Sequence, residues 1–106
     1  MERRGQEVYE VEWTDNALKS LSKLDKPTER KIRWKVENEL VKDPYPSPTN
    51  KNVKALQGEL KGLYRYRCHG KYRVAYKILR QKLLITVLEV VKRSDVYPIL
   101  ERKYGR

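Results

Sequence analysis

Hydrophobic positions change their spacing along this chain, which divides it into a helical half and a strand half. Residues 7–13 alternate between polar and apolar and predict a first strand. Residues 14–16, Thr-Asp-Asn, offer side chains that cap a helix start. Apolar residues then recur at helical spacing over 17–24, and the Asp-Lys-Pro of residues 25–27 ends this first helix.

A second helix is predicted over residues 27–41, with proline in its first turn. One apolar stripe recurs at every fourth position, at Ile32, Val36 and Leu40. Trp34 and Val41 fall on nearly the opposite side of this helix. Either the helix is sandwiched, with Trp34 against the first helix, or Trp34 lies open as an anchor for a partner protein.

Strand patterns dominate the second half of the chain. The loop at residues 43–50 has three prolines at alternate positions, and residues 53–58 form a short approach segment. Three strands follow, at 63–68, 71–79 and 83–91, joined by His69-Gly70 and by residues 80–82. The last strand is apolar on both faces and is therefore expected to be central. Ser94 and Asp95 are expected to cap a short terminal helix.

The length of the chain, 106 residues, predicts a single domain spanning residues 1–106. No apolar run approaches the roughly 20 residues that span a bilayer, and no signal peptide is recognisable, which predicts a cytoplasmic protein without membrane contact. Cys68 and His69 are the single cysteine and the single histidine. We therefore expect no disulfide, no metal site and no cofactor.

Positive charge is concentrated in the strand half. The net charge is +11, and residues 60–88 contain eight Lys or Arg residues and no Asp or Glu. Alternation places Arg65 and Arg67 on one face of their strand, and Lys71, Arg73 and Lys77 on one face of the next. The resulting cationic strip, flanked by tyrosines, suits a sugar-phosphate backbone. The alternative is a solvated sheet face whose lysines guard an edge strand.

Arginines can stabilise a charged phosphorane but are poor proton shuttles near neutral pH. The strands hold neither a histidine pair nor two carboxylates that could share acid and base roles, and His69 is expected in a solvated turn. The residues by themselves therefore argue against an efficient freestanding ribonuclease.

Three motifs resemble the RelE/ParE superfamily of bacterial and archaeal toxins. They are Gly-Leu-Tyr-Arg-Tyr-Arg at 62–67, Lys-Tyr-Arg-Val-Ala-Tyr at 71–76 after Gly70, and Lys-Arg-Ser-Asp-Val-Tyr at 92–97. The likeness extends from about Val8 to Tyr104. It implies an α+β fold of the RelE type, with a mainly antiparallel sheet of about four strands, two N-terminal helices on one face and a short C-terminal helix.

The RelE branch implies a toxin of a type II toxin-antitoxin system that cuts messenger RNA in the ribosomal A site without metal. Its partners would be a RelB-like antitoxin and the ribosome with its mRNA and rRNA. The antitoxin is expected to cover the basic strip or to displace the terminal helix. The alternatives are a ParE-like toxin that inhibits DNA gyrase without catalysis, and a simple RNA-binding module.

The resemblance also implies residue roles. Arg73 would stabilise the scissile phosphate, Arg93 matches a family arginine in the motif before the last helix, and Tyr97 would stack on the substrate base and take part in proton transfer. Arg65 and Arg67 stand where well-studied members carry lysines, which removes the obvious proton donor. The implied catalytic set is Arg67, Arg73, Arg93 and Tyr97. The implied RNA contacts are Arg65, Lys61, Lys71 and Lys92, of which the three lysines are candidate substitutes for the missing donor.

Overall fold

The computed structural model describes residues 7–105 and has three α-helices packed on a five-stranded sheet. The strands are Glu10–Trp13 (β1), Val53–Ala55 (β2), Tyr64–His69 (β3), Tyr72–Leu79 (β4) and Leu84–Lys92 (β5). The helices are Asp15–Ser22 (α1), Lys26–Asn38 (α2) and Val96–Tyr104 (α3). The α+β class, the mainly antiparallel sheet and the C-terminal helix agree with the expectation from sequence.

Side-chain caps explain where α1 and α2 begin. Thr14 Oγ1 accepts a hydrogen bond from the Ala17 amide, and a carboxylate oxygen of Asp25 accepts one from the Thr28 amide. Each bond satisfies an amide that has no partner inside its own helix. No such side-chain bond caps α3, so the expected capping role of Asp95 is wrong. A 3-10 turn at Arg93–Asp95 leads into α3 instead.

The sheet has the strand order β1-β5-β4-β3-β2, with five strands where about four were expected. Residues 53–55, read from the sequence as an approach segment, form the edge strand β2 antiparallel to β3. Three residues are too few to display an alternating pattern, which is why the sequence did not reveal this strand. The apolar β5 is central as predicted, since it pairs with β4 on one side and with β1, in parallel, on the other.

The two faces of the sheet have separate hydrophobic clusters. The larger cluster packs α1 and α2 onto the sheet through residues such as Leu21, Ile32 and Tyr76, all fully buried. The smaller cluster lies under α3 and includes Ala75, Leu100 and four other buried side chains. This arrangement places the two N-terminal helices on one face and α3 on the other.

The second helix ends earlier than predicted. The helix α2 stops at Asn38, and a 3-10 turn at Leu40–Lys42 buries both Leu40 and Val41. Val41 is therefore a core residue and does not share an exposed side with Trp34. Trp34 is 52% exposed, so the interpretation that it packs against the first helix is wrong and the open arrangement is the observed one.

The turn between β3 and β4 lies one residue later than predicted. It consists of Gly70 and Lys71, and His69 is the last residue of β3. Gly70 has a φ of 56°, a left-handed conformation that glycine adopts without a steric penalty. Lys71 consequently belongs to the turn, and its ammonium lies 5.7 Å from the centre of the Tyr72 ring.

Within residues 7–105, no helix is both long enough and apolar enough to cross a membrane.

Candidate functional site

An open cleft of about 370 Å³ lies on the sheet face opposite α1 and α2. Four arginines, one lysine and one tyrosine contribute its polar groups. The lining residues are Lys54, Ala55, Leu56, Arg65, Arg67, Arg73, Arg93, Val96 and Tyr97. We call this site the arginine cleft.

Strand alternation and register assemble its floor. Arg65 and Arg67 point to the same side of β3, and Arg73 of β4 lies directly opposite Arg67. Lys54 of the edge strand β2 lies directly opposite Arg65. Directly opposed residues of antiparallel strands share a face, so three strands deliver four cations to one surface.

The chain beyond β5 closes one wall of the cleft. Arg93 follows β5, and its amide donates a hydrogen bond of 2.7 Å to the Lys71 carbonyl in the β3–β4 turn. Tyr97 lies in the first turn of α3 and is 40% exposed. Its hydroxyl accepts a hydrogen bond from the Gln57 amide at 3.2 Å. The tyrosine ring is thus held at the cleft with much of its surface available for stacking.

Backbone carbonyls hold two of the guanidinium groups. Arg73, only 6% exposed, donates from Nη1 to the Gly70 carbonyl at 2.8 Å and to the Tyr72 carbonyl at 3.2 Å. Arg65 donates from Nη1 to the Asn52 carbonyl at 3.1 Å. These bonds fix the groups before any ligand arrives, which lowers the entropy cost of binding.

Burial lowers the pKa of Arg73, and the positive charges of three neighbouring arginines lower it further. Burial and the charge of Arg67 act in the same direction on the pKa of Arg65. Arginine nevertheless remains protonated in proteins because its ordinary pKa exceeds about 12. The cleft therefore keeps its positive charge.

No carboxylate from residues 7–105 lines the cleft. The ion pairs found within residues 7–105 involve Glu29 and Glu89, and none involves an arginine of the cleft. Closely spaced cations without counterions repel each other and attract anions strongly. The arrangement is chemically suited to a phosphate group, which arginine can bind through two parallel hydrogen bonds.

The structure brings together five of the eight residues that the sequence indicated: Arg65, Arg67, Arg73, Arg93 and Tyr97. It does not bring Lys61, Lys71 or Lys92 into the cleft lining. Lys54 was not predicted from the sequence, because its position opposite Arg65 depends on the unrecognised strand β2. Among the described residues, no group of three or more His, Cys, Asp or Glu side chains is placed to hold a metal ion.

A family model described as the ParE toxin of the type II toxin-antitoxin system parDE matches residues 11–97. No individually curated protein matches the chain at a significant level.

Solved structures resemble the chain over most of its length. The RelBE2 toxin-antitoxin complex of Mycobacterium tuberculosis contains a chain with 27% identity and a TM-score of 0.71, and the match covers 81% of this chain and 99% of that one. The archaeal RelE-RelB complex of Pyrococcus horikoshii gives 30% identity, a TM-score of 0.58, and coverage of 81% and 96%. The intact E. coli RelBE complex gives 25%, 0.61, and 79% and 95%.

Proposed function

Since this chain belongs to the ParE toxin family and is a toxin of a type II toxin-antitoxin system of the RelE/ParE kind, we propose that it inhibits translation as a ribosome-dependent mRNA endonuclease. The observation that supports this proposal is the arginine cleft, where four guanidinium groups meet one exposed tyrosine ring. A toxin that acts only by covering a partner surface has no need of a preorganised phosphate site.

In the proposed reaction, the 2′-oxygen attacks the adjacent phosphorus and the bond to the 5′-oxygen breaks. The products are a cyclic phosphate and a free 5′-hydroxyl. Arg73 stabilises the charge that develops on the phosphoryl oxygens, since its carbonyl partners already fix its guanidinium group. Arg67 and Arg93 add further positive charge beside it, and Tyr97 offers a ring for stacking on a neighbouring base.

The 5′-oxygen needs a proton as it leaves, and we assign Lys54 as its donor. Among the described residues, Lys54 is the one lysine that lines the cleft, where it faces Arg65 across the β2–β3 pair. An ammonium group can release a proton, whereas a guanidinium group practically cannot. Lys54 would thus supply, from another strand, the amine that Arg65 and Arg67 do not provide.

The ribosome completes the site in this proposal. In the part of the chain that the structure describes, the cleft lining contains neither a carboxylate nor a histidine that could take the proton of the 2′-hydroxyl. Ribosomal RNA and the geometry of the codon in the A site would align the attacking oxygen, and the proton of the 2′-hydroxyl would pass to solvent with the assistance of Tyr97. Lys61, Lys71 and Lys92, outside the cleft, would contact RNA backbone as part of the wider basic surface.

The antitoxin would be a RelB-like protein that neutralises the basic surface or displaces α3. The complexes named above each contain such a toxin together with its antitoxin. Arg73→Glu is expected to weaken antitoxin binding in a mixing experiment. If neither Arg73→Glu nor Trp34→Ala changes the affinity of the chain for the antitoxin, the proposed docking site of the antitoxin is wrong.

The proposal is tested by mapping the 5′ ends of messenger RNA on ribosomes in a purified translation system. The chain should cut in the A site, and Arg73→Ala should slow cleavage by about 10² to 10³-fold, the usual effect of removing one preorganised electrostatic contact. Tyr97→Phe should also reduce cutting. Lys77→Gln is the matched control, because Lys77 is an exposed cation of the same strand that does not line the cleft. Undiminished cleavage by both Arg73→Ala and Tyr97→Phe would refute the assignment.

Replacement of Lys54 separates proton transfer from charge. Lys54→Arg keeps the positive charge but removes the transferable proton, so it should lose about 10² in rate, within the range for general acid catalysis. If Lys54→Arg retains full activity and Lys54→Gln does not, the lysine contributes charge alone.

The second candidate is a ParE-like toxin that inhibits DNA gyrase without catalysis, favoured by the family model that matches residues 11–97. It predicts inhibition of supercoiling while translation continues. Tyr97→Phe should then have no effect on toxicity.

A further inference from the structure

A buried carboxylate outside the cleft ties α3 to the rest of the molecule. Glu89 lies in the middle of β5 and is 1% exposed. It accepts hydrogen bonds from Lys103 Nζ at 3.0 Å, from Tyr104 Oη at 3.3 Å and from Ser20 Oγ at 3.2 Å. Lys103 and Tyr104 belong to α3, whereas Ser20 belongs to α1. We call this group the Glu89 latch.

An irregularity in β5 places Glu89 on the side of the sheet that carries α3. Ala75 pairs with Glu89 while Tyr76 pairs with Val87, which leaves Leu88 as an extra residue. Such a bulge reverses the alternation beyond it and re-aims the side chains that follow. Without it, Glu89 would share the face of Val87 and lie in the cluster beneath α1 and α2.

The latch acts on the end of α3 that lies farthest from the cleft. Lys103 and Tyr104 are in its last turn, and Tyr97 is in its first. Tyr104 Oη also lies 3.4 Å from the Leu88 carbonyl and accepts a hydrogen bond from the Asn16 side chain at 3.2 Å. A nine-residue helix transmits a shift or rotation of one end to the other, because its backbone hydrogen bonds keep it rigid.

Apolar contacts alone hold α3 less specifically. Val96 and Leu100 are the buried α3 residues of the smaller cluster, with Ile99 and Tyr104 packed against it, and together they form one apolar stripe on the sheet. Hydrophobic contact is non-directional, so the stripe allows small rotations of the helix. The directed, charge-assisted bonds of the latch fix the rotation and the axial position.

We propose that Glu89 is a positioning residue whose latch on α3 holds Tyr97 in place over the arginine cleft. The catalytic consequence rests on the proposed endonuclease activity, whereas the effect on α3 itself does not. The latch would therefore govern turnover without contact with the RNA.

The first test measures hydrogen-deuterium exchange in the full chain. Glu89→Gln and Lys103→Met should raise exchange of the α3 amides by about tenfold or more and leave β3 and β4 protected, since local opening is confined to the least stable unit. Lys103→Arg should restore protection. Glu29→Gln is the matched control, because Glu29 forms its ion pairs with Lys26 and Arg33 inside α2, far along the chain from α3. Unchanged exchange in α3 for both Glu89→Gln and Lys103→Met would overturn the proposal.

The second test measures cleavage on ribosomes. Lys103→Met, a change at a partly exposed side chain that the fold should tolerate, should lower kcat by up to about 10²-fold with little change in KM, as expected when a catalytic group is misplaced. In a Tyr97→Ala background, Lys103→Met should not lower kcat any further, because the tyrosine side chain that it would displace is absent. An equal loss in both backgrounds would overturn the link to Tyr97. If the unmodified chain does not cleave at all, the proposed activity fails, and the exchange data alone decide whether the latch holds α3.

Discussion

Alternating residues of the hairpin formed by β3 and β4 point to opposite faces of the sheet, and these two faces differ completely in chemistry. One face presents Tyr66, Val74 and Tyr76 to the helices α1 and α2. The other presents Arg67 and Arg73 to the arginine cleft. Period-two geometry therefore separates the residues that stabilise this fold from those that contact a ligand, one position apart along the chain.

Burial has opposite consequences on the two faces. On the core face it raises the pKa of Tyr76 and raises the pKa of the Cys68 thiol to about 12, so both groups stay neutral. On the cleft face it lowers the pKa of Arg73, but the guanidinium group stays charged. The core face consequently gains stability from burial, whereas the like charges of the cleft face repel each other, and a bound anion relieves this repulsion.

Among the substitutions that test this comparison of the two faces, Tyr76→Ala is expected to change the free energy of unfolding most. Tyr76 is fully buried, stacks on Tyr64 with ring centres 5.7 Å apart, and donates a hydrogen bond of 2.7 Å to the Pro44 carbonyl. Removing a buried aromatic ring typically costs about 3–5 kcal/mol, a large part of the stability of a small domain. Urea unfolding measures the loss. Tyr76→Phe is the control and should cost only about 1 kcal/mol, for the hydrogen bond.

On the cleft face, a substitution is expected to increase stability and not to reduce it. Arg67→Gln removes one member of the pair of like charges formed with Arg73 across β3 and β4. It should raise the free energy of unfolding by about 0.2–1 kcal/mol in low salt. The gain should shrink as salt screens the repulsion. Urea unfolding at low and high ionic strength checks this expectation, and a loss of stability at both would show that Arg67 stabilises the sheet by packing.

A smaller effect is expected at Trp34. Trp34 is 52% exposed on the outer side of α2, so Trp34→Ala should change the free energy of unfolding by less than about 0.5 kcal/mol. Ile32→Ala, at a fully buried position of the same helix, is the control and should cost about 2–5 kcal/mol. Comparable losses for the two variants would mean that Trp34 is packed after all.

The smallest effect is expected at Asp25, which caps α2, and it concerns the pH dependence of stability in the helical layer. The hydrogen bond from Thr28 lowers the pKa of the exposed Asp25 carboxyl below its ordinary value of 3.8. A folded-state pKa below the unfolded value means that this contribution to stability is present above about pH 3.8 and is lost as the pH falls through the lowered value. Unfolding of Asp25→Ala should therefore differ from that of the parent chain at neutral pH, and the difference should shrink in acid. A difference that stays constant with pH would assign the effect to helix propensity.

The sequence pattern correctly predicted structural relations between residues that lie close together along the chain. The alternation of residues 64–67 and 72–76 sufficed to predict which side chains share a face, because that property depends only on local backbone geometry. Lys71 was predicted to be the first residue of its strand, but it belongs to the turn. The turn begins at Gly70, because His69 is the last residue of β3. Turn positions depend on backbone angles that a hydrophobic pattern does not specify.

By itself, the sequence determined the α+β class, the central β5, and the concentration of arginine on one side of a hairpin. Composition and periodicity carry these properties, and they need no knowledge of distant contacts. Only the tertiary structure decided that Lys54 faces Arg65, that a bulge at Leu88 turns Glu89 toward α3, and that Tyr97 closes the cleft beside Arg73. Each of these depends on strand register or on the packing of a helix against a distant strand. Such relations are set by the balance of all contacts in the fold, which local pattern does not encode.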